Sequence, residues 1–204
     1  MQRKTRQRFL LILAVLALQS NYVLATRFTH GGVDPRLPWD IFPFEVAWIV
    51  PYTLCFPLWT AAGVWLIYHM DDQLFRATVA GLLLTCSIGI ATFIVFPTFI
   101  VDPIVTGCDF ISRLMLFTQQ LDGNYAAFPS SHIYVSTGLA LFYGKWYPRH
   151  RLLIALTFTM IALSTLFTHQ HYVLDVVGGI VNGWIGFRFG LWWARQKPNP
   201  GVSA

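Results

Sequence analysis

Residues 78–100 read TVAGLLLTCSIGIATFIVFPTFI and contain no charged side chain. An apolar run of about 20 residues is long enough to cross the hydrocarbon core of a bilayer as a helix. Backbone polar groups find no water there, so a spanning segment must satisfy its hydrogen bonds internally. The stretch therefore predicts a membrane-spanning helix.

Five further apolar stretches give six predicted spans, at residues 9–25, 47–68, 78–100, 132–146, 152–168 and 173–193. We expect an all-α fold, a six-helix transmembrane bundle forming a single integral membrane domain over residues 1–204, with a short disordered tail at 194–204. The first span is short and follows basic residues, as in a signal peptide. The region around Ala25 is only a weak cleavage site, which favours an uncleaved anchor.

The composition agrees with a membrane protein. Hydrophobic residues make up 55% of the chain and charged residues only 11%, whereas soluble domains carry about 25% charged residues. The net charge of +5 comes without a basic stripe interleaved with aromatics, so no nucleic-acid partner is expected. Cys55, Cys86 and Cys108 form no metal-spaced pair, and we expect no metal and no cofactor. The expected partners are membrane lipids.

The basic residues predict an orientation. With the amino terminus in the cytoplasm, the inner segments hold ten Lys and Arg residues and the outer segments only Arg27, Arg36 and Arg113, as the positive-inside rule requires. This orientation places His132 and the segment 171–175 on the extracytoplasmic face. Residues 110–121, in the long outer loop, have apolar positions at helical spacing. They predict a helix that lies in the membrane interface or packs on the bundle.

His171 and Asp175 are four residues apart and share one face if the segment is helical. An ionisable residue at a membrane edge suggests function, because burying it is costly unless it is partnered. Asp175 accepting a hydrogen bond from His171 would fix one imidazole tautomer and leave the other nitrogen as a nucleophile. The alternative is a buried pair that only holds two helices together.

His132 follows Pro129, Ser130 and Ser131, where a turn leads into a helix. The N–H groups at a helix start favour an anion, and the two serine hydroxyls can add donors. His132 could then protonate a leaving group. The alternative is an ordinary helix cap followed by an interfacial histidine.

These residues resemble the phosphatidic acid phosphatase type 2 superfamily. Phe128-Pro129-Ser130-Ser131-His132 is similar to its Pro-Ser-x-His motif, and Ser164-Thr165 with His171 and Asp175 is similar to its Ser-Arg-x5-His-x3-Asp motif. The resemblance implies a six-helix membrane bundle. It also implies that His171 is the nucleophile, Asp175 orients it, His132 is the general acid and Ser130 binds phosphate.

The cations of those motifs are missing. Val95 and Asp102 stand where the remaining family motif has Lys and Arg, and Thr165 stands where the histidine motif has Arg. A phosphomonoester carries nearly two negative charges near pH 7 and is poorly held without Arg or Lys, whereas a phosphodiester carries one. In this respect the chain is more similar to the sphingomyelin synthase and inositol phosphorylceramide synthase branch. The remaining candidates for contacts with the phosphate or headgroup are Arg113, the one cation of the outer loop, and His169, which helical spacing points away from His171.

The prediction is a lipid phosphoesterase or phosphotransferase that works through phosphohistidine, with a phospholipid-type diester as substrate. The catalytic candidates are His171, Asp175 and His132, and the substrate-binding candidates are Ser130, Ser131 and Arg113. Hydrolase and transferase remain open at this point. So do a phosphatase acting on lipid phosphate monoesters or diphosphates and a non-catalytic lipid-binding or transporter-like relative.

Overall fold

The computed structural model describes residues 2–196 and is helical, without a β-strand in that range. Its seven α-helices are α1 (Gln2–Phe28), α2 (Ile49–His69), α3 (Asp72–Val95), α4 (Phe110–Asp122), α5 (Ser131–Trp146), α6 (Arg151–Phe167) and α7 (Val173–Gln196). Short 3-10 turns, Val46–Trp48 and Pro148–His150, precede α2 and α6. The all-α prediction is confirmed for these residues.

The predicted number of six spans is not confirmed. Four helical segments are long and apolar enough to cross a membrane, namely Arg3–Phe28, Val46–His69, Asp72–Val95 and Pro148–Phe167. Helix α5 has 16 residues, and at about 1.5 Å per residue it is shorter than a hydrocarbon core of about 30 Å. Helix α7 has 24 residues, but it contains Asp175, Asn182 and two arginines and is not one of these four segments.

Two predicted boundaries move for local reasons. The third span was expected at residues 78–100, but α3 begins earlier because the Asp71 side chain caps it by accepting from the N–H of Leu74 at 2.8 Å. It ends at Val95 because Pro97 disfavours helix in the residue before it. At the other end of the chain, α7 continues to Gln196, so the predicted tail is helical over 194–196. Residues 197–204 lie outside the described part.

Helices α3 and α7 lie in close contact along much of their length. Glycines make this approach possible: a Cβ added to Gly186 would meet the hydroxyl of Thr85 and the backbone oxygen of Gly81. Where α7 passes α5, a Cβ on Gly179 would meet Ile133 at 2.7 Å. Small residues at helix interfaces let backbones approach in membrane proteins. Here they bring the first turn of α7 against the start of α5.

The remaining helices surround this centre. Helix α1 packs on α3, and α4, the helix predicted at residues 110–121 between α3 and α5, packs on α2 through the buried Met115. The opposite side of α4 exposes Phe110, Phe117 and Leu121. Before α2, the chain from Gly31 onward is irregular, and it forms an isolated bridge from Val33 to Thr98.

Candidate active site

His171 sits in the short connection between α6 and α7. The N–H groups of Gln170 and His171 both donate to the carbonyl oxygen of Thr165, at 3.1 Å. Helix α7 starts two residues later, where the N–H of Val173 donates to the Asp40 side chain at 2.9 Å. Hydrogen bonds to Thr165 on one side and to Asp40 on the other therefore fix the connection. His171 is 5% exposed.

The His171–Asp175 pair forms, although His171 precedes α7 and does not share a helical face with Asp175. Nδ1 of His171 lies 3.5 Å from Oδ2 of Asp175. The same oxygen accepts from the backbone N–H of Tyr172 at 2.8 Å, and Asp175 is fully buried. The carboxylate is thus fixed beside Nδ1, which leaves Nε2 as the nitrogen that can react.

His132 lies next to this pair. Its ring centroid is 5.8 Å from that of His171, although the two residues are far apart in sequence. The start of α5 is tied to α7 by the N–H of Ser130, which donates to the backbone oxygen of Asp175 at 3.1 Å. The structure therefore brings four predicted residues together: His132, His171, Asp175 and Ser130.

Unpaired polar atoms mark the same place. Among the described residues, eight buried side-chain polar atoms lack a hydrogen-bond partner, and four of them belong to the predicted site: Ser130 Oγ, His132 Nε2, His171 Nδ1 and Asp175 Oδ1. Buried polar groups are paired as a rule. Such a concentration of unpaired donors and acceptors is typical of a site that binds a polar group.

Three aromatic side chains of α2 form a wall beside His132. The ring centroids of Tyr52, Phe56 and Trp59 lie 4.4, 5.4 and 5.8 Å from the imidazole centroid. They follow helical spacing, so they share one face of the helix. The sequence also shows this spacing. Because it does not show which residues the three side chains contact, the spacing predicts only a packed helix face.

Tyr52 and Asp122 are the functional candidates that sequence reasoning missed. The Tyr52 hydroxyl lies 3.2 Å from Nδ1 of His132 and donates to Oδ2 of Asp122 at 2.7 Å. Like His171, His132 is therefore linked to a carboxylate through Nδ1, in this case by way of a tyrosine. The two residues are seventy positions apart, which no local pattern connects.

The site contains no basic side chain at hydrogen-bonding distance. Among the described residues, no Lys or Arg pairs with His132, His171, Asp175 or Ser130. Asp102, which replaces the family arginine, accepts from the Gln170 side chain at 3.3 Å. Partial burial raises the pKa of its carboxyl, against the opposing effect of this hydrogen bond.

The other candidates lie less centrally. Ser131 is buried in the first turn of α5. Arg113 is exposed on α4, and within the described chain its side chain contacts neither histidine. His169 points away from the pair, since its Nε2 lies 2.8 Å from the backbone oxygen of Phe42. No three His, Cys, Asp or Glu side chains in residues 2–196 cluster as metal ligands.

Comparison with known proteins gives one match. A family model described as the PAP2 superfamily matches residues 42–189, which is more than half of the chain and includes every candidate site residue. No curated protein and no solved structure matches the chain.

Proposed function

The chain belongs to the PAP2 superfamily, and from that premise we propose that it is a membrane lipid phosphotransferase or phosphoesterase acting through a phosphohistidine intermediate. Membership supports lipid phosphatase-type chemistry at the level of the superfamily. The observation that supports the specific site is the convergence of His132, His171, Asp175 and Ser130, each of which has a buried polar atom without a hydrogen-bond partner.

The proposed first step is attack by Nε2 of His171 on phosphorus. A nitrogen–phosphorus bond forms and the bond to the leaving oxygen breaks. Asp175 holds the other face of the ring and stabilises the positive charge that develops on it. Nε2 of His132 gives its proton to the leaving oxygen, as a general acid must.

The second step reverses these roles. The oxygen of an acceptor hydroxyl attacks phosphorus, the bond from phosphorus to Nε2 of His171 breaks and frees that nitrogen, and Nε2 of His132 takes the proton of the hydroxyl. Ser130 Oγ is a donor for a phosphate oxygen in both steps. Whether the acceptor is water or a lipid alcohol decides between hydrolase and transferase.

The charge around the site favours a diester substrate. The Asp175 carboxylate lies 3.5 Å from the His171 imidazole, Asp102 accepts from the neighbouring Gln170 side chain, and within the described residues no cation pairs with either histidine. Two negative charges on a monoester would be repelled there, whereas a phosphodiester carries only one. The same feature is the basis of the resemblance to the sphingomyelin synthase and inositol phosphorylceramide synthase branch.

We place the protein in the membrane with the amino terminus in the cytoplasm and the site on the extracytoplasmic face. Four apolar helices support membrane integration, and the distribution of basic residues supports the orientation. A cysteine-labelling experiment with a membrane-impermeant reagent tests it. Cys108 is exposed and should react from outside the cell.

Lipid analysis tests the function. Purified protein is incubated with mixed phospholipids, diacylglycerol and phosphatidic acid, alongside His171→Ala and His150→Ala. His150 is exposed in the turn before α6 and serves as the matched control. A new headgroup-bearing lipid would identify a transferase, and a released phospho-headgroup a diesterase. His171→Ala should abolish either activity while His150→Ala retains it.

Three results would contradict the proposal. A fully active His171→Ala protein would exclude the phosphohistidine mechanism. Free phosphate from phosphatidic acid, with intact phosphodiesters, would identify a monoester phosphatase. No turnover of any lipid by wild-type protein would favour a non-catalytic relative.

A further inference from the structure

The hydrogen-bonded array Asp122–Tyr52–His132 joins the second histidine to a carboxylate on another helix. Tyr52 is 1% exposed and His132 is 2% exposed, while Asp122 is half-buried at the end of α4. The two contacts of the Tyr52 hydroxyl, 2.7 Å to Asp122 and 3.2 Å to His132, use both its donor and its acceptor. Nε2 of His132 has no partner.

A tyrosine hydroxyl has one proton, so the array has two ordered forms. When Asp122 is ionised, Tyr52 donates to it, and Nδ1–H of His132 donates to the tyrosine oxygen. Nε2 then carries a lone pair and is a base. When Asp122 is protonated, the direction of both hydrogen bonds reverses, and the neutral imidazole carries its proton on Nε2 as an acid.

We propose that Asp122, acting through Tyr52, stores the proton that His132 gives to the leaving group and takes back from the acceptor. This inference rests on the proposed function. In the first step Nε2 loses its proton to the leaving oxygen, Nδ1 takes the tyrosine proton, and Tyr52 takes the proton of Asp122. In the second step each proton returns, and the array ends as it began.

The array avoids a buried cation. An imidazolium at a buried position without an adjacent carboxylate is costly, and in the neutral acid form the extra proton resides on Asp122 instead. Asp122 is suited to hold it, because burial raises the pKa of its carboxyl, ahead of the opposing effects of Tyr52 and His171. The other titratable groups that influence Asp122 or are influenced by it are Tyr22, Cys55 and Asp102.

An array that stores a proton makes kcat/KM depend on the charge of Asp122, which a merely structural contact would not do. Activity in the first step requires the protonated array, whose apparent pKa belongs to the three residues together. Removing the negative charge of Asp122 weakens proton binding by the array, so the alkaline limb of the kcat/KM profile should move to lower pH. A charge within about 4–6 Å shifts a pKa by about one unit or more, which sets the expected size.

The test compares Tyr52→Phe and Asp122→Asn with Tyr22→Phe. Tyr22 is the matched control, because its hydroxyl lies 3.4 Å from the backbone oxygen of Asp122 and does not contact His132. Asn keeps an acceptor for Tyr52 but cannot store a proton. We expect both site variants to lose about 10²-fold in kcat/KM, with the alkaline limb of Asp122→Asn about one pH unit lower. Tyr22→Phe should match wild type.

Nitrogen-15 NMR of the histidine side chains tests the array without any activity. At a pH above the apparent pKa of the array, wild-type His132, assigned with a His132→Gln protein, should carry its proton on Nδ1, and Tyr52→Phe should lose this preference. If wild-type protein turns over no lipid, the proposed function fails while this measurement still decides the array. An Nε2–H tautomer in wild type above the apparent pKa of the array, or an unshifted pH profile in Asp122→Asn, overturns the inference.

Discussion

The backbone N–H of Ser130 donates to the backbone oxygen of Asp175 at 3.1 Å. This hydrogen bond joins the start of α5 to the first turn of α7, and so joins the two sequence motifs that carry the histidines. It uses only backbone atoms, which leaves the Ser130 hydroxyl buried and unpaired. The hydroxyl is therefore free to bind substrate while the backbone holds the site together.

Ser130→Ala should lower activity without unfolding the protein. The variant keeps the backbone hydrogen bond and removes only the hydroxyl. A hydrogen bond to a charged phosphate oxygen contributes about 1.5–3 kcal/mol, so kcat/KM should fall by roughly 10- to 100-fold. Lipid turnover and thermal unfolding are measured together, with Ser87→Ala, an exposed serine on α3, as control. Full activity in Ser130→Ala would exclude a role for this hydroxyl in binding.

Gly186→Ala should destabilise the bundle. The new methyl group would collide with Thr85 and with the backbone of Gly81 on α3, and overpacking of this kind costs about 1–3 kcal/mol. Gly63→Ala is the control, because a Cβ there meets nothing within 4 Å, and alanine favours helix by up to about 1 kcal/mol. Thermal unfolding in detergent should show a lower midpoint for Gly186→Ala and an equal or higher one for Gly63→Ala. Equal midpoints for both variants would contradict the close α3–α7 contact.

The sequence predicts most of this fold because hydrophobic runs are long and uniform. Helices α1, α2, α6 and the apolar part of α3 follow directly from them. Polar residues and glycines interrupt the hydrophobic run of α7. The run of α5 is too short for its length alone to distinguish a membrane span from a buried helix. The ends of α3 depend on a cap and a proline, which act locally and against the apolar pattern.

The contacts within the candidate site also differ in how far the sequence predicts them. His171 and Asp175 are only four positions apart, so the sequence predicts their contact, although His171 lies in the connection before α7. The approach of His132 to them depends on glycines that let α7 pass close to α5, and the sequence only suggests it. Tyr52 on α2 contacts His132, and Asp122 on α4 contacts Tyr52. These contacts join distant parts of the chain and are visible only in three dimensions.

Helix α4 should become less stable in acid because of its cap. Asp109 accepts from the N–H groups of Ile111 and Ser112 and from the Ser112 hydroxyl at 2.7 Å. These hydrogen bonds, the hydroxyl first, hold the pKa of its carboxyl below the ordinary range. The folded-state pKa lies below the unfolded value of about 3.9. The stabilisation is therefore present above that value and lost as the pH falls through the folded pKa.

Asp109→Asn tests this dependence, because Asn caps a helix but does not titrate. The unfolding midpoints of wild type and variant are compared from about pH 7 to about pH 3, across the unfolded pKa. We expect wild type to be the more stable protein at neutral pH and the difference to shrink in acid. A difference that stays constant over this range would show that the charge of Asp109 does not contribute.

Arg8 should anchor α1 to the bundle. Its side chain is 6% exposed; it donates to the backbone oxygen of Ile67 at 2.9 Å and pairs with Asp72. It thus satisfies a carbonyl at the end of α2 and bridges to the start of α3. Arg8→Gln removes hydrogen bonds from a charged donor, and each such bond contributes about 1.5–3 kcal/mol. The free energy of unfolding should therefore fall by about 2 kcal/mol. The exposed Arg6→Gln should leave the midpoint unchanged.

Because a cleaved signal peptide cannot stabilise the mature protein, a lower midpoint for Arg8→Gln would also support retention of the first span as an anchor. Equal midpoints for the two variants would argue against both conclusions.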